Sequence, residues 1–306
     1  MNCKMQSQFK TVLGNIQEKD IGKVLPHEHI CCYSEYLYKM AGKQYLDKEL
    51  LVDVSVNCLK SLKEKYDLST LVDCTPINIG RDIELLKKVS EKSGVNIICS
   101  TGFYYTEEPV IYNTEEERLS EYIVSDAIST NAGVIKCAVE NEEISPYIEK
   151  VLRACAKAQK RLNLPIVMHS NANNKSAVKA LEIILSEGVK PQSVTVSHLS
   201  DTEDIEYIKF FAKCGCYIGL DRLYEIYTEE YINSKIGTIL ELCGSGYEDR
   251  ILLSHDDSFF NGLSQNPKIK KTPRFNYCFE YVLQKLQKEL AGKIIEKNPL
   301  NMLKMI

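Results

Sequence analysis

His27, His29, Lys136, His169, His198 and Asp256 are far apart in the chain, yet each closes or nearly closes a short apolar run that reads as a β-strand. Side chains alternate faces along a strand, so His27 and His29 point the same way and Glu28 the other. Two imidazoles so placed can chelate one metal ion. An HxH pair alone is a weak signal, but four of the chain's five histidines fall at such strand ends. Neutral imidazoles suit zinc, iron, cobalt or manganese better than magnesium or calcium. Asp256 offers a further ligand and an acceptor for the proton of an activated water. Its neighbour His255 points away by the same alternation and reads as a core residue or as a support behind the site. Lys136 is the odd member, because an ammonium cannot ligate a cation. Either it is a buried, paired lysine, or burial and metals deprotonate its amine, which then reacts with carbon dioxide to give a carbamate between two ions.

Eight strand-like runs carry these residues: 23–29, 70–75, 96–101, 133–139, 165–170, 194–199, 216–221 and 250–256. They are almost continuously apolar, as strands covered on both faces are. Most of the gaps hold a helical pattern, as over 83–93, 148–163, 175–187, 204–212 and 235–242. Repeated strand then helix predicts a parallel sheet with right-handed crossovers, and eight such units close into an α/β (β/α)8 TIM barrel. An open doubly wound sheet is the alternative, but no GxGxxG follows the first strand. The active-site mouth of such a barrel lies at the C-terminal strand ends, where the six residues would gather. Asn298 and Pro299 read as the cap and first residue of the last helix.

With 306 residues, 44% of them hydrophobic and 26% charged, the chain has the material for one barrel domain over 1–306. No internal repeat or linker divides it. No apolar stretch is long enough to cross a bilayer, and the N-terminus lacks the pattern of a secretory signal. A cytoplasmic protein is expected. The net charge of −4 and the lack of a basic stretch beyond 268–271 argue against nucleic acid and for a small-molecule partner. The 12 cysteines are dispersed, with no CxxC pair, and are expected as free thiols rather than a disulfide framework or a thiolate metal site.

The motifs LPHEHI (25–30), DCTPINIGRD (73–82), STGFYY (100–105), GVIK (133–136), MHS (168–170), SHLSDTED (197–204), GLDR (219–222) and LLSHDD (252–257) together resemble the phosphotriesterase-related family of the amidohydrolase superfamily, in its lactonase-like branch. The resemblance runs over nearly the whole chain. It implies two divalent metal ions, zinc first, with manganese, cobalt or iron as alternatives. His27, His29 and Asp256 would hold the more buried ion and His169 and His198 the more exposed one. Carboxylated Lys136 and a hydroxide would bridge them, and the lysine implies a need for bicarbonate during assembly. Asp256 would take the proton released on attack.

The substrate depends on the loops, since one barrel and its metals serve many hydrolyses. Asp221 and Arg222 match the Asp-Arg typical of the lactonase-like branch, where the phosphotriesterases have Asp-His. Tyr104 matches a tyrosine presented to the substrate oxygen where phosphotriesterases have tryptophan, and this chain has no tryptophan. Barrel-rim packing is the plainer reading of Tyr104 and Tyr105. The loop after the eighth strand carries Lys268, Lys270, Lys271, Arg274 and Tyr277. It reads either as a solvated basic loop or as an anion pocket in which Arg274 and Tyr277 resemble the phosphate site of relatives acting on phosphorylated sugar lactones. Arg81 and Asp82 read as a structural pair. Asp201 reads as part of a helix-start signal and also matches the family's outward proton relay, which Arg222 puts in question.

The expected activity is therefore a two-metal lactonase acting on a sugar lactone, with or without a phosphate, using Asp256, Lys136, Arg222 and Tyr104 in catalysis and Tyr104, Arg222, Arg274 and Tyr277 for substrate. Phosphotriester, carboxylate ester or amide hydrolysis at the same site is the alternative. A noncatalytic binding barrel and a mononuclear deaminase are the other rivals; the latter would have little use for Lys136. A homodimer is expected from the resemblance and from the frequency of twofold symmetry.

Overall fold

The computed structural model describes residues 8–223 and 228–304. A short antiparallel hairpin, β1 (Gln8–Thr11) and β2 (Gly14–Gln17), precedes the main sheet. The barrel strands follow as β3 (Lys23–Cys32), β4 (Leu68–Asp73), β5 (Asn96–Gly102), β6 (Val134–Ala138), β7 (Ile166–His169), β8 (Val194–Val196), β9 (Tyr217–Leu220) and β10 (Ile251–Leu253), with β11 (Ser258–Asn261) continuing the last. Neighbours in sequence are neighbours in space, all parallel, and β11 lies beside β3. The Asp256 N–H donates to the His27 carbonyl at 3.1 Å and the His29 N–H to the Asp257 carbonyl at 3.0 Å, which sews the last strand to the first. The (β/α)8 TIM-barrel expectation is met.

The helices α1 (Glu35–Ala41), α2 (Lys48–Tyr66), α3 (Ile83–Ser93), α4 (Pro109–Tyr112), α5 (Glu116–Thr130), α6 (Pro146–Leu162), α7 (Ala177–Ser186), α8 (Ile205–Cys214) and α9 (Glu229–Gly244) fill the crossovers, and α10 (Lys288–Gly292) and α11 (Asn298–Leu303) end the chain. Their boundaries follow from side-chain chemistry. Asp47, Asp82, Ser145, Asp204 and Thr228 each accept an N–H of the first helical turn. Asp67, Gly94, Asn131, Asn163 and Gly215 end helices in the left-handed conformation that Gly and Asn tolerate best. None of the described helices is long and apolar enough to cross a membrane. The described cysteines are all free thiols, most of them buried.

Four sequence expectations need correction. The eighth strand does not run unbroken to Asp256: it stops at Leu253 and resumes at Ser258. The cause is Glu28, whose carboxylate takes the Ser254 hydroxyl at 2.9 Å and the His255 and Asp257 N–H groups at 2.9 and 3.2 Å, drawing them off the ladder. The sixth strand likewise ends at Val196, and the first continues past His29 to Cys32 because β11 pairs with it there. Asn298 opens α11 but is not its cap. A π-helical turn over Lys293–Lys297 runs straight into it, and the Asn298 amide instead donates to the carbonyls of Glu248 and Ile251, both at 2.8 Å.

The two ends of the barrel differ in kind. At the N-terminal end Phe9 and Ile21 pack with Val24, Val72, Ile98, Val134, Val167, Tyr217 and Leu252 from the strands and with Met302 and Leu303 from α11. The hairpin and last helix thus plug the bottom with hydrocarbon. Polar residues occupy the other end.

Candidate metal centre

All four candidate histidines, Lys136 and Asp256 converge at the C-terminal end of the barrel. His27 and His29 share a face of β3, their ring centroids 5.7 Å apart, and Asp256 Oδ1 lies 3.6 Å from His27 Nε2 and 3.1 Å from His29 Nε2. Lys136 reaches up from β6 to put Nζ 2.6 Å from His27 Nε2. Gly102 makes room for it: on the adjacent β5, at φ 97°, any Cβ would strike the Lys136 carbonyl. On the other side His169 Nδ1 faces His198 Nε2 at 2.7 Å. His198 stacks obliquely on His27 at 5.1 Å, which joins the two groups into one cluster.

His198 and Asp256 lie just beyond their strands, both in the left-handed region, at φ 66° and 52°. Such a conformation is rare for residues with a side chain and is held here by bonds to the turn. The His198 N–H donates to Asp221 Oδ1 at 2.6 Å, and the Asp256 N–H to His27.

The nitrogen that each ring turns away from the centre is already committed. His27 Nδ1 and His198 Nδ1 meet the two oxygens of Asp221 at 2.6 and 3.0 Å. His29 Nδ1 meets the Thr75 hydroxyl at 2.8 Å, which in turn donates to the Cys31 carbonyl. His169 Nε2 meets Glu140 Oε2 at 3.0 Å. A carboxylate only accepts, so Asp221 and Glu140 assign the proton to the outer nitrogen of His27, His198 and His169 and leave their inner lone pairs free. Burial pushes His169 down to about 4 and His198 down to about 3, so both rings are neutral at pH 7. Two inner lone pairs then face each other at 2.7 Å. That arrangement is repulsive unless a cation lies between them, and it fits a divalent metal.

The second group fits one equally well. His27, His29 and Asp256 bring three ligand atoms within reach of a common centre, and His27, His198 and Asp221 form a second such set. Asp221 is better read as the support behind two rings, since its oxygens are occupied by their Nδ1 atoms. Burial opposes a charge on Asp256, but the facing His198, His29 and His27 hold its carboxyl well below the usual carboxylate range. Lys136 is only 1% exposed and has no carboxylate within 4.0 Å among the described residues. A buried ammonium without a counter-ion is costly, and its conversion to a carbamate would replace the positive charge with an anionic group whose oxygens can ligate cations.

Around this cluster the remaining expectations fall out unevenly. Arg222 donates from Nε to Asp256 Oδ2 at 3.0 Å and from a terminal nitrogen to Asp201 Oδ2 at 2.7 Å, so it spans the two acids. Asp204, and not Asp201, caps α8. Tyr104 meets His169 edge-on at 5.2 Å, with Tyr105 behind it at 4.2 Å from Tyr104. Asn78 holds that turn by accepting the Tyr104 N–H at 2.7 Å and donating to the Tyr104 and Thr106 carbonyls. Arg274 and Tyr277 sit half-buried on the segment after β11, where the Arg274 N–H donates to Asp257 at 3.0 Å. Lys270 is spent on an ion pair with Asp257, while Lys268 and Lys271 are exposed. Arg81 and Asp82 are structural, though not partners of each other: Arg81 grips Asp126 through two bonds of 2.6 and 2.8 Å, and Asp82 caps α3 and pairs with Lys48.

His255 faces away from the cluster as the alternation requires. Its Nδ1 lies 2.6 Å from Glu28, and its Nε2 accepts the Cys278 N–H at 3.0 Å. That backbone donor needs the Nε2 lone pair, so the ring is the neutral Nδ1–H form, with its proton directed at the Glu28 carboxylate. Sequence reasoning named Asp221 only as half of the Asp-Arg pair and gave no support role to Asp221, Thr75 or Glu140. Asp221 carried a signal, as an acid closing a strand beside Arg222; Thr75 and Glu140 carried none.

Residues 7–303 match the profile of the phosphotriesterase family. An aryldialkylphosphatase of Saccharolobus solfataricus is 34% identical over 250 residues, covering 79% of each chain. A phosphotriesterase homology protein of Mycobacterium tuberculosis is 27% identical over 286 residues, covering 88% of this chain and 87% of its own. An N-acetyltaurine hydrolase of Xenopus tropicalis is 28% identical over 299 residues, covering 82% of this chain and 84% of its own.

Proposed function

The chain belongs to the phosphotriesterase family, and on that premise we propose that it is a two-metal hydrolase that opens a sugar lactone, with or without a phosphate on the sugar. The ligands in this reading are His27, His29 and Asp256 for the buried ion, His169 and His198 for the exposed one, and carboxylated Lys136 for both. When bound, two such cations, zinc or else manganese, cobalt or iron, would acidify a water and polarise the scissile carbonyl.

The observation that carries the lactone reading is the span of Arg222 from Asp256 to Asp201. A guanidinium stays protonated and has no lone pair to receive a proton. The chain Asp256, Arg222, Asp201 therefore cannot pass a proton outward. A proton taken up by Asp256 leaves toward the substrate instead. Ring opening of a lactone produces an alkoxide that must be protonated and that stays attached to the product, so Asp256 can both accept the proton and return it. A phenolate expelled from an aryl phosphate makes no such demand. Arg222 also keeps Asp256 ionised and its carboxylate oriented. In this reading Tyr104, edge-on to His169, would offer its hydroxyl to the carbonyl side, and Arg274 with Tyr277 would meet a phosphate.

An amide makes the same demand for a returned proton, and the N-acetyltaurine hydrolases among the relatives favour that second reading. The decisive experiment measures initial rates of protein reconstituted with zinc or manganese, with and without bicarbonate, on matched sugar lactones with and without a terminal phosphate, on an aryl dialkyl phosphate and on N-acetyltaurine. Lactone turnover above the other classes, and dependent on bicarbonate, is expected. Fully metallated protein that turns over no lactone would overturn the assignment. Preference for the phosphorylated lactone would point to Arg274 and Tyr277.

A further inference from the structure

We infer that Glu140 is the positioning residue for the more exposed ion, holding His169 in the one orientation that ligates, so that occupancy of that position depends on a carboxylate the buried ion does not use. The inference rests on the two-metal reading above. Among the four rings, His169 is reversed. His27, His29 and His198 turn Nδ1 away from the centre, whereas His169 turns Nδ1 inward and Nε2 outward. A reversed ring needs its own anchor, and Glu140 Oε2 supplies it at 3.0 Å from Nε2.

Glu140 is itself clamped. Its other oxygen accepts the Asn171 amide at 3.0 Å, and its carbonyl accepts the Asn174 amide at 2.7 Å. The Asn171 N–H is fixed in turn by the Ser176 hydroxyl at 3.0 Å. The loop after β7 therefore grips the residue that orients the histidine at the end of β7. Outer carboxylates of this kind fix the tautomer and the angle of a ligating imidazole and strengthen it as a donor.

The support is also asymmetric. The Glu140 side chain is 36% exposed, whereas that of Asp221, which serves His27 and His198, is 2% exposed. Water can compete for the anchor of His169 and not for that of His27. The exposed ion should therefore be the labile one, and Glu140 should govern that lability.

The test uses full-length protein loaded with cobalt(II), comparing wild type, Glu140→Ala, Glu140→Gln and the exposed neighbour Glu142→Ala. Bound metal is counted by elemental analysis across a chelator titration, and the visible spectrum reports the coordination of each ion. Wild type and Glu142→Ala should hold two ions. Glu140→Ala should lose one of them at a chelator activity about 10- to 100-fold lower and keep the other, with a matching loss in the cobalt spectrum. Glu140→Gln, whose amide oxygen still accepts the His169 N–H, should fall between. Metal-free melting temperatures should agree across the set; if Glu140→Ala melts early, the near-isosteric Glu140→Gln decides. Glu140→Ala holding two ions with wild-type affinity, or losing both together, would overturn the inference. Wild type that binds fewer than two ions would overturn the two-metal reading and this inference with it.

Discussion

At the N-terminal end of the barrel, Phe9, Val24, Ile98, Val134 and Leu252 pack without a charged member. At the C-terminal end His27, His198, Lys136 and Asp221 are buried as deeply, each 2% exposed or less. The bottom is held by hydrocarbon removed from water, a term proportional to area and indifferent to angle. The top has to offset the desolvation of every polar group through a specific partner. It also contains His198 and Asp256 in left-handed backbone, each costing about 1–3 kcal/mol. Stability is thus concentrated at one end and spent at the other, as expected of a barrel whose chemistry sits at its C-terminal face.

Separating the two ends by mutation gives the largest expected effect at the top. Asp256→Asn keeps the shape and an oxygen for Arg222 but removes the carboxylate proposed as the base. The rate constant kcat should fall by about 100- to 10,000-fold, the usual range for a general acid-base group, while the circular dichroism spectrum stays native. A variant that keeps wild-type turnover would show that Asp256 is not the proton acceptor.

The complementary change at the bottom should do the reverse. Phe9 is 4% exposed and belongs to the hydrocarbon plug. Phe9→Ala should cost about 3–5 kcal/mol of unfolding free energy, read as a lower denaturant midpoint. Metal content and kcat below the transition should not change. Loss of metal in this variant would mean that the two ends are mechanically coupled and that the division drawn here is wrong.

How much of this division could be read from the chain alone differs between the ends. The strands and the convergence of the six site residues were legible, because apolar runs ending in His, Lys or Asp fix both a strand and a rim position. The alternation that sets His27 beside His29 and turns His255 away holds in three dimensions. The break in the eighth strand was not legible, because it depends on Glu28, 226 positions earlier, capturing the Ser254 hydroxyl. The supports behind the rings were hidden for the same reason. Glu140 lies in the acidic stretch ENEE, where one glutamate looks like the next until the fold aims it at His169. The hairpin that plugs the bottom reads in sequence as a polar, mixed N-terminus, with Phe9 one of a few scattered apolar residues in it.

Acid should sharpen the comparison further, by a smaller amount. Burial holds His169 down to about 4 and His198 down to about 3, against about 6.5 for a free side chain. As pH falls below about 6.5 the unfolded chain takes up protons at both positions, while the folded, metal-free protein resists. The unfolded state then binds more protons, so acidification favours unfolding. The contribution is complete above about pH 6.5 and is lost progressively as pH falls toward the folded values. In metal-free protein the denaturant midpoint should therefore decline between about pH 7 and pH 4.5, a window chosen to lie above most carboxylate titration. Replacing both His169 and His198 by Asn should flatten that decline. Phe9→Ala should lower the midpoint by the same amount at both pH values, because hydrocarbon burial does not titrate. An unchanged slope in the double variant would place the acid sensitivity outside His169 and His198, and a pH-dependent Phe9→Ala effect would show that the bottom of the barrel senses the charge at the top.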